Sequence, residues 1–378
     1  MKAIVFSQSK QTTANLYPFT LTRPVQDIRI GALTIREKWE KILTCRSATV
    51  NEMVEGFFYH LKSTVLPDKK FAGAVKQLKE GEALVNADGE ILAAFISAKQ
   101  LYDDDRKTIV AEKHFLVDDV LSIEYPWHIF ERNEPAISFD FELLTAGRES
   151  ARADGTNALT NPERIFIENG AEVKHCIINA QHGPVYIGKN ALVMEGACLR
   201  GPLSIGENAV VKMGARIYGA TTIGPGCIVG GEIKNSVLFA NANKAHDGYL
   251  GDSVIGEWCN LGAGTSNSNL KNTAGNIDVH LHGKKINARM KCGVMMGDFS
   301  KTAINTSINT GTVIGVSANV FGIGLTPKAI PSFSWGFNNT VKYNLEKALE
   351  DAGRWKALKG ETLTKEEKEI LKNIYITS

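Results

Sequence analysis

An aliphatic residue returns at every sixth position in the middle of this chain. These anchor residues are Ile187, Val193, Leu199, Ile205, Val211, Ile217 and Ile223. A period of six fits neither the 3.6-residue turn of an α-helix nor the two-residue alternation of a single strand. A short strand followed by a tight turn, repeated three times per coil, instead predicts a parallel β-helix with its aliphatic side chains stacked inside.

The repeat extends beyond this stretch and is interrupted twice. Small side chains such as Ala191 and Ala209 follow most anchors by four positions, where the chain turns a corner. The same spacing on both sides predicts a solenoid from about residue 160 to about residue 331. A coil that only has to stack has no reason to break its period. We therefore expect functional residues in the interruptions at about 229–254 and 266–303, and we expect the first to leave the prism as a loop.

Composition excludes several classes of partner. The 378 residues can bury two hydrophobic cores, and 43 basic residues nearly balance 41 acidic ones. This balance favours neither nucleic acid nor an anionic membrane as a partner. The six cysteines contain no C-x-x-C pair, as expected of reduced cysteines in a cytoplasmic protein. No apolar run is long enough to predict a membrane span, so we expect a soluble cytoplasmic protein.

Strand-like runs alternate with helical patterns before residue 150. Apolar runs at 1–6, 82–85, 91–96 and 109–110 predict the strands of an α/β sheet, and the residues at 28–43 predict a helix. Asp88-Gly89 predicts a hairpin turn and Asp103–Asp105 a solvated turn. We expect residues 7–14 to be irregular and residues 145–162 to be polar and helical.

Three domains follow from these patterns. We predict an α/β domain at 1–150, a β-helix domain at 151–336 and a helical tail at 337–378. The tail contains an amphipathic pattern at 341–358 and a second helix, which begins where Thr364 and Glu367 form a capping box.

The first interruption contains a candidate general base. His246 stands three residues before Tyr249 in H-D-G-Y-L-G-D, and a histidine beside a hydroxyl suits proton transfer. Arg216 and Lys234 precede His246 at offsets that are multiples of six, so they occupy equivalent places on successive faces of the prism. Two fixed cations suit a phosphate monoester.

This segment resembles a family of bifunctional enzymes, the N-acetylglucosamine-1-phosphate uridyltransferases/glucosamine-1-phosphate N-acetyltransferases. The resemblance rests on R-I-Y-G, E-I-K, K-A-H-D-G-Y-L-G-D and C-N-L-G-A-G-T-S-N-S-N, which also keep the family's intervals. It implies that Arg216 and Lys234 hold the substrate phosphate, that Tyr249 and Asn260 hold the sugar, and that His246 is the base.

The same resemblance implies further contacts and an assembly. Acetyl-CoA would meet Ala263 and Asn269, and Lys271 is a candidate for an additional phosphate contact. M-G-D-F-S-K, at residues 296–301, looks more like archaeal relatives. The family implies a left-handed β-helix acetyltransferase that assembles as a homotrimer, acts on glucosamine 1-phosphate and acetyl-CoA, and makes UDP-N-acetylglucosamine together with UTP.

The N-terminal domain resembles a sugar nucleotidyltransferase with an altered signature. Y-P-F-T-L-T-R-P, at residues 17–24, is similar to the second half of that signature, but residues 7–13 contain no glycine. A variant, Bacteroidetes-type branch of the family shares R-P-V-x-x-I-R. The resemblance implies a Rossmann-like fold that uses Mg²⁺. Candidate nucleotide contacts are Arg23, Arg29 and Lys38, and candidate metal ligands are Asp88 and Asp140.

Other functions remain open from the sequence. The first domain could be degenerate, or it could act as a hexose-1-phosphate nucleotidyltransferase, such as a glucose-1-phosphate thymidylyltransferase, with the β-helix serving oligomerisation. A non-catalytic sugar-nucleotide-binding scaffold is a third possibility. A fourth is a carbonic anhydrase of the γ type, which would need three imidazoles around zinc, and His246, His280 and His282 would supply them.

Overall fold

The protein is described here from a computed structural model, which covers residues 2–49, 56–97 and 111–378. Two sequence predictions, the strand-like run at 109–110 and the turn at Asp103–Asp105, lie outside the described residues. The described residues form an α/β unit, a three-sided β-solenoid and a pair of C-terminal helices.

A mixed five-stranded sheet forms the centre of the α/β unit. Its strands lie side by side in the order Lys2–Ser7, Phe57–Lys62, Ile91–Ser97, Glu82–Val85 and Lys113–Leu116. The first two strands are parallel, whereas Glu82–Val85 and Ile91–Ser97 form the antiparallel hairpin that Asp88-Gly89 predicts. A two-stranded hairpin of Arg29–Ile30 and Leu33–Thr34 lies outside this sheet.

The helices of this unit differ in places from the sequence prediction. They are Lys10–Asn15, Ile35–Leu43, Lys69–Gln77, His128–Glu131 and Asn133–Thr145, with 3₁₀ turns at Phe19–Leu21, Val25–Asp27 and Pro162–Arg164. Residues 7–14 are not irregular, because the Ser9 side chain caps the helix Lys10–Asn15. The helix expected over 28–43 begins only at Ile35, where Thr34 and Glu37 form a capping box. The helix expected within 145–162 is wrong. The helix Asn133–Thr145 ends at the start of this range, and the described residues 146–161 contain no helix.

Parallel strands stack into the three faces of the solenoid, named here in chain order. The first face contains Ala158–Thr160, Ile177–Asn179, Cys198–Arg200, Arg216–Tyr218, Glu232–Lys234 and Tyr249–Gly251. The second face contains Ile165–Ile167, Val185–Ile187, Leu203–Ile205, Thr221–Ile223, Val237–Leu238, Val254–Ile255, Met295–Met296, Val313–Ile314 and Ala329–Ile330. The third face contains Glu172–Val173, Leu192–Val193, Val210–Val211, Ile228–Val229, Asn243–Lys244, Asn260–Leu261, Lys301–Thr302, Asn319–Val320, Ser334–Trp335 and the antiparallel Val341–Lys342.

The predicted anchor residues fill the interior of this prism. Ile205, Ile217 and Ile223 are completely buried, and they belong to one hydrophobic cluster that runs along the solenoid. Each inward side chain stacks on its counterpart one coil away, as Ile205 does on Ile223. The stacked apolar side chains form a continuous core from which water is excluded, and this burial is the main stabilising contribution to such a fold.

Residues 229–254, the first interruption, stay in the solenoid. The prediction that they leave the prism as a loop is therefore wrong. Ile217 pairs with Ile233, and Ile233 pairs with Leu250, so coils of 16 and 17 residues replace the regular 18. The shortening occurs in the corner turns, while the inward positions keep their stacking. His246 therefore lies on a corner turn between Asn243–Lys244 of the third face and Tyr249–Gly251 of the first.

The second interruption does leave the prism. After Ser266–Asn267, which pairs with Ser307–Ile308, the chain forms a hairpin of Asp278–Leu281 and Lys284–Asn287. It returns at Met295–Met296, beside Val254–Ile255. The tip of this hairpin reaches the α/β unit, where His282 Nε2 lies 2.9 Å from the carbonyl oxygen of Ala14 and its ring meets Tyr17 edge-on.

The α/β unit packs on the second face of the solenoid. Outward side chains of that face, including Val237, Val254 and Met295, share one hydrophobic cluster with Phe19 and Val25. The neighbouring residues in the same strands point into the prism instead. The contact between the two parts is therefore an apolar interface with the character of a core.

Polar groups fix the position of this interface. Thr222 Oγ1 donates to the carbonyl oxygen of Gly31 at 3.0 Å, and Asn133 Nδ2 donates to the carbonyl oxygen of Ala220 at 2.7 Å. Asn133 Oδ1 in turn accepts the backbone N–H of Gly31 at 2.7 Å. Because these groups are buried, a shift of the α/β unit along the solenoid would leave them without partners.

Two C-terminal helices cover one corner of the solenoid. The pattern at 341–358 begins with the strand Val341–Lys342, and its helix spans only Leu345–Ala357. The second helix is Lys365–Thr377, and the predicted capping box of Thr364 and Glu367 is confirmed. Both helices pack on an aromatic cluster that contains Trp258 and Phe333.

No helix among the described residues combines the length and apolarity needed to cross a bilayer. The predicted architecture is confirmed in its three parts: an α/β domain, a parallel β-helix built from hexapeptide repeats, and a helical tail.

Candidate functional site

The first face brings three of the predicted site residues together on adjacent strands. Arg216 lies beside Glu232, and Glu232 lies beside Tyr249. Two positions further along the same strands, Tyr218 lies beside Lys234. Neighbouring strands are about 4.8 Å apart, so these side chains project outward as one compact polar patch.

The two cations of this patch are available to a ligand. The Arg216 side chain is 54% exposed, and its nearest carboxylate, that of Glu232, is 3.9 Å away. The ammonium of Lys234 lies 5.7 Å above the ring of Tyr218. Glu232 is held mainly by Tyr218, whose hydroxyl donates to it at 2.6 Å, and this hydrogen bond raises the pKa of Tyr218 to about 12.

The His246 turn is exposed, but a buried lysine lies beneath it. Lys244 is 1% exposed and stands where the preceding coils of the third face carry valines, beside Val229. Its ammonium donates to the carbonyl oxygen of His246 and, at 3.4 Å, to that of Gly230. Burial lowers the pKa of Lys244 to about 8, and the charge of Asp247 opposes this shift. Lys244 thus links the His246 turn to the buried part of the third face.

The other predicted acetyl-transfer residues lie around this turn. Asn260 is on the third face, beside Asn243, and is therefore separated from Tyr249 by the corner. Ala263 occupies the same corner one coil further on, and the next residue, Gly264, donates its N–H to the carbonyl oxygen of Asp247 at 3.0 Å. The turns that carry His246 and Ala263 are thus direct neighbours.

Asn269, the second predicted acetyl-CoA contact, meets Tyr249 and Asp252 in this structure. Its Nδ2 donates to the hydroxyl of Tyr249 at 3.2 Å and to the carboxylate of Asp252. Burial raises the pKa of Tyr249, and the charges of Asp252 and Glu232 raise it further. Lys271, the weaker phosphate candidate, donates to the carbonyl oxygen of Asn276. The contact of Asn269 with acetyl-CoA stays a prediction.

Asp252 is a site residue that sequence analysis missed. It is 4% exposed, follows the strand of Tyr249 directly, and accepts hydrogen bonds from two asparagine side chains. Its only sequence signal is the final position of Y-L-G-D.

The candidate nucleotide contacts lie between or beside the domains. Arg23 forms ion pairs with Asp298 and, at 3.0 Å, with Glu257, and both carboxylates belong to the solenoid. Arg29 lies 3.5 Å from Glu37 and donates to the carbonyl oxygen of Ala32. That these guanidinium groups bind phosphate stays a prediction, since their contacts in this structure are with protein groups.

Lys38 and Asp140 form a buried ion pair. Burial lowers the pKa of Lys38 and raises the pKa of Asp140, while their mutual attraction opposes both shifts. This contact ties the helix Ile35–Leu43 to the helix Asn133–Thr145. The two residues were predicted to bind nucleotide and metal separately, and the structure joins them to each other instead.

The described residues do not form a fitting Mg²⁺ site. Asp88 is exposed on its hairpin turn, and Asp140 is paired with Lys38. Across residues 2–49, 56–97 and 111–378, no group of three His, Cys, Asp or Glu side chains could hold a metal ion. The same finding counts against a zinc site formed by His246, His280 and His282.

Comparison with known proteins finds a family model and several relatives that each match part of this chain. Residues 3–149 match the family model for sugar nucleotidyl transferases. A bifunctional protein GlmU from Methanocaldococcus jannaschii is 38% identical over 84 residues, which are 22% of this chain and 21% of that protein. A bifunctional sugar-1-phosphate nucleotidylyltransferase/acetyltransferase from Sulfurisphaera tokodaii is 35% identical over 112 residues, which are 29% of this chain and 27% of that protein.

The matched segments thus span only about a fifth to a quarter of these relatives' own lengths. Among solved structures, a UDP-N-acetylglucosamine acyltransferase from Francisella novicida aligns with 58% of this chain and 75% of its own. The identity is 15% and the TM-score 0.32, which is too low for any inference. Residues 3–149 are thus similar to sugar nucleotidyl transferases, and shorter segments of the chain are similar to segments of two bifunctional proteins.

Proposed function

We propose that this protein transfers the acetyl group of acetyl-CoA to the amine of glucosamine 1-phosphate. The observation that carries the proposal is the strand register of the first face, which places Arg216, Lys234 and Tyr249 on one exposed patch next to the His246 turn. Two cations suit a phosphate, since Glu232, the carboxylate beside Arg216, is held mainly by the Tyr218 hydroxyl, and a tyrosine hydroxyl suits an oxygen of the sugar phosphate.

The reaction needs no covalent intermediate on the enzyme. His246 accepts a proton from the 2-amino group, and the amine nitrogen attacks the thioester carbonyl of acetyl-CoA. Formation of the new C–N bond leaves a negative charge on the carbonyl oxygen, and a backbone N–H beside the His246 turn stabilises this oxyanion. The C–S bond then breaks, the sulfur of coenzyme A takes up a proton, and N-acetylglucosamine 1-phosphate is released.

The position of acetyl-CoA follows from the adjoining turns. Ala263 lies one coil beyond His246, so a thioester that runs along this corner brings its carbonyl carbon near the base. Asn260 borders the same corner from the third face. We propose that the protein is a homotrimer in which a second subunit covers this patch, because Arg216 and Lys234 are accessible on the outside of the first face.

For the N-terminal domain we propose uridylyl transfer from UTP to the acetylated product. The family-model match over residues 3–149 supports sugar nucleotidyl transfer in general, and UTP is the nucleotide that the resemblance implies. UTP chemistry uses Mg²⁺ to offset phosphate charge. The described residues do not form a fitting site for this ion.

A two-stage assay of the purified protein tests both proposals. Acetyl-CoA and glucosamine 1-phosphate are added first and free thiol is followed; UTP and magnesium are then added and pyrophosphate is followed. Thiol followed by pyrophosphate is the expected result. Thiol alone would contradict the proposal for the first domain, and the absence of thiol would contradict the acetyl-transfer proposal.

A further inference from the structure

Asp252 forms a hydrogen-bond network around Tyr249. Its Oδ1 accepts Asn235 Nδ2 at 2.6 Å, and its Oδ2 accepts Asn269 Nδ2. The same Nδ2 of Asn269 donates to the Tyr249 hydroxyl oxygen at 3.2 Å. The network is therefore a short chain from a buried carboxylate, through one amide, to the phenol.

The backbone of Asp252 also joins this network to the rest of the site. Its N–H donates to the carbonyl oxygen of Lys234 at 3.1 Å, and its carbonyl oxygen accepts the N–H of Gly293 at 2.8 Å. One residue thus connects the strand of a proposed phosphate ligand with the point where the second interruption returns to the prism.

The carboxylate determines which way the neighbouring amides face. An ionised carboxylate can only accept hydrogen bonds, so Asn235 and Asn269 must both present their NH₂ groups to it. Asn269 then presents a donor, not an acceptor, to the oxygen of Tyr249. The hydroxyl hydrogen of Tyr249 has no acceptor among the described residues, so it stays free to donate toward the open patch.

We propose that Asp252 is a positioning residue that fixes the Asn269 amide and thereby presents the Tyr249 hydroxyl as a hydrogen-bond donor to an oxygen of the sugar phosphate. This inference rests on the proposed acetyl transfer and deepens it. Asp252 does not touch the substrate, and no proton leaves Tyr249. This hydrogen-bond network favours a ligand that places an acceptor oxygen, and not a second donor, above the Tyr249 hydroxyl.

Asp252→Asn tests this proposal with little change of shape. Asp252 has a φ of +47°, a left-handed conformation that asparagine also adopts readily, so the backbone can stay as it is. The introduced amide has one acceptor oxygen, whereas the NH₂ groups of Asn235 and Asn269 each donate to a separate oxygen of Asp252. Asn269 can then turn its own amide oxygen toward the introduced NH₂ group and the Tyr249 hydroxyl. The phenol then donates to Asn269 and is lost to the substrate.

The expected result is a change in one Michaelis constant. KM for glucosamine 1-phosphate should rise about tenfold, the effect of one lost hydrogen bond, and the disturbed buried network should also lower the urea unfolding midpoint. Asn208→Asp, at an exposed corner with φ of +56° on an earlier coil, is the matched control and should leave KM for glucosamine 1-phosphate unchanged. An unchanged KM for glucosamine 1-phosphate in Asp252→Asn would overturn the proposal.

A double-mutant cycle shows whether Asp252 acts through Tyr249. In a Tyr249→Phe background there is no hydroxyl to present, so Asp252→Asn should raise KM less than twofold further. A full tenfold increase in that background would mean that Asp252 acts independently, and would overturn the proposal.

The proposed function and this inference can fail separately. If the wild-type protein releases no thiol with glucosamine 1-phosphate, the proposed function fails. The same cycle is then measured on urea unfolding, which needs no substrate. Non-additive effects of Asp252→Asn and Tyr249→Phe on the unfolding midpoint support the network, and additive effects overturn it.

Discussion

Arg23 and Asp298 form a buried ion pair, although they are 275 residues apart in the chain. Asp298 also accepts the hydroxyl of Thr22 at 2.7 Å and the backbone N–H of Glu257 at 2.9 Å. The guanidinium of Arg23 lies 5.0 Å from the ring centre of Phe239. The stretch that resembles a nucleotidyltransferase signature therefore helps to attach the first domain to the solenoid.

Asp298→Asn should destabilise the protein, because it removes the nearer and more buried of the two carboxylates that pair with the guanidinium of Arg23. Breaking a buried pair on one side costs about 3 kcal/mol in the free energy of unfolding. Urea denaturation measures the loss. The matched control, Glu369→Gln, removes an exposed pair with Lys372 and should have no measurable effect. A stability equal to wild type in Asp298→Asn would mean that the pair does not secure the interface.

Gly31→Ala should also destabilise the protein, by about 2 kcal/mol or more. Gly31 has a φ of +73°, and an added Cβ would lie 2.8 Å from the backbone of Ala136 and collide with the carboxylate of Asp140. Gly89→Ala is the control, since its φ of +78° is similar but nothing lies within 4 Å of an added Cβ. Thermal unfolding of both variants separates crowding from backbone strain. Equal losses would contradict the close packing around Gly31.

The stability of the wild-type protein should rise between about pH 8 and pH 10.5, relative to that of Lys244→Met. The folded-state pKa of Lys244, about 8, lies below its ordinary value of 10.5, so within this window the unfolded chain binds more protons than the folded one. Stability rises with pH wherever that holds, here by about 1–3 kcal/mol. Urea titrations of both proteins across this range measure the difference. A constant difference would contradict the burial of a charged lysine.

Loss of the two cations should remove the preference for a phosphorylated sugar. In Arg216→Ala and Lys234→Ala, kcat/KM for glucosamine 1-phosphate should fall at least tenfold, while that for glucosamine itself changes little. Arg200→Ala, at an exposed first-face position on the coil before Arg216, is the control. An equal fall for both sugars would mean that the two cations do not bind the phosphate.

The repeat in the sequence was sufficient to predict most of the solenoid. Inward positions such as Ile205 and Ile217 could be assigned because each coil repeats the same local requirement for an aliphatic anchor. The same periodicity misjudged residues 229–254, since shorter corner turns change the spacing without moving the stacked side chains. Spacing along a chain reports the length of a coil, not whether the coil is present.

The contacts of individual site residues were harder to predict than their positions. Arg23 pairs with Asp298, and Lys38 pairs with Asp140. Both pairs depend on how distant parts of the chain pack, so the residues next to each partner in the sequence do not predict them. Asn269 likewise meets Tyr249 and Asp252 because the second interruption returns beside the strand of Asp252. Arg216, Lys234 and Tyr249 could be brought together from the sequence because they occupy consecutive coils of the first face.

Thiol release from acetyl-CoA in the presence of glucosamine 1-phosphate, compared between wild type and His246→Ala, tests the central claim most directly. His182→Ala, which removes an exposed histidine elsewhere on the solenoid, is the control. We predict that His246→Ala abolishes thiol release while its melting temperature and oligomeric state match wild type, and that His182→Ala retains full activity. Full activity in His246→Ala would contradict the assignment of His246 as the base.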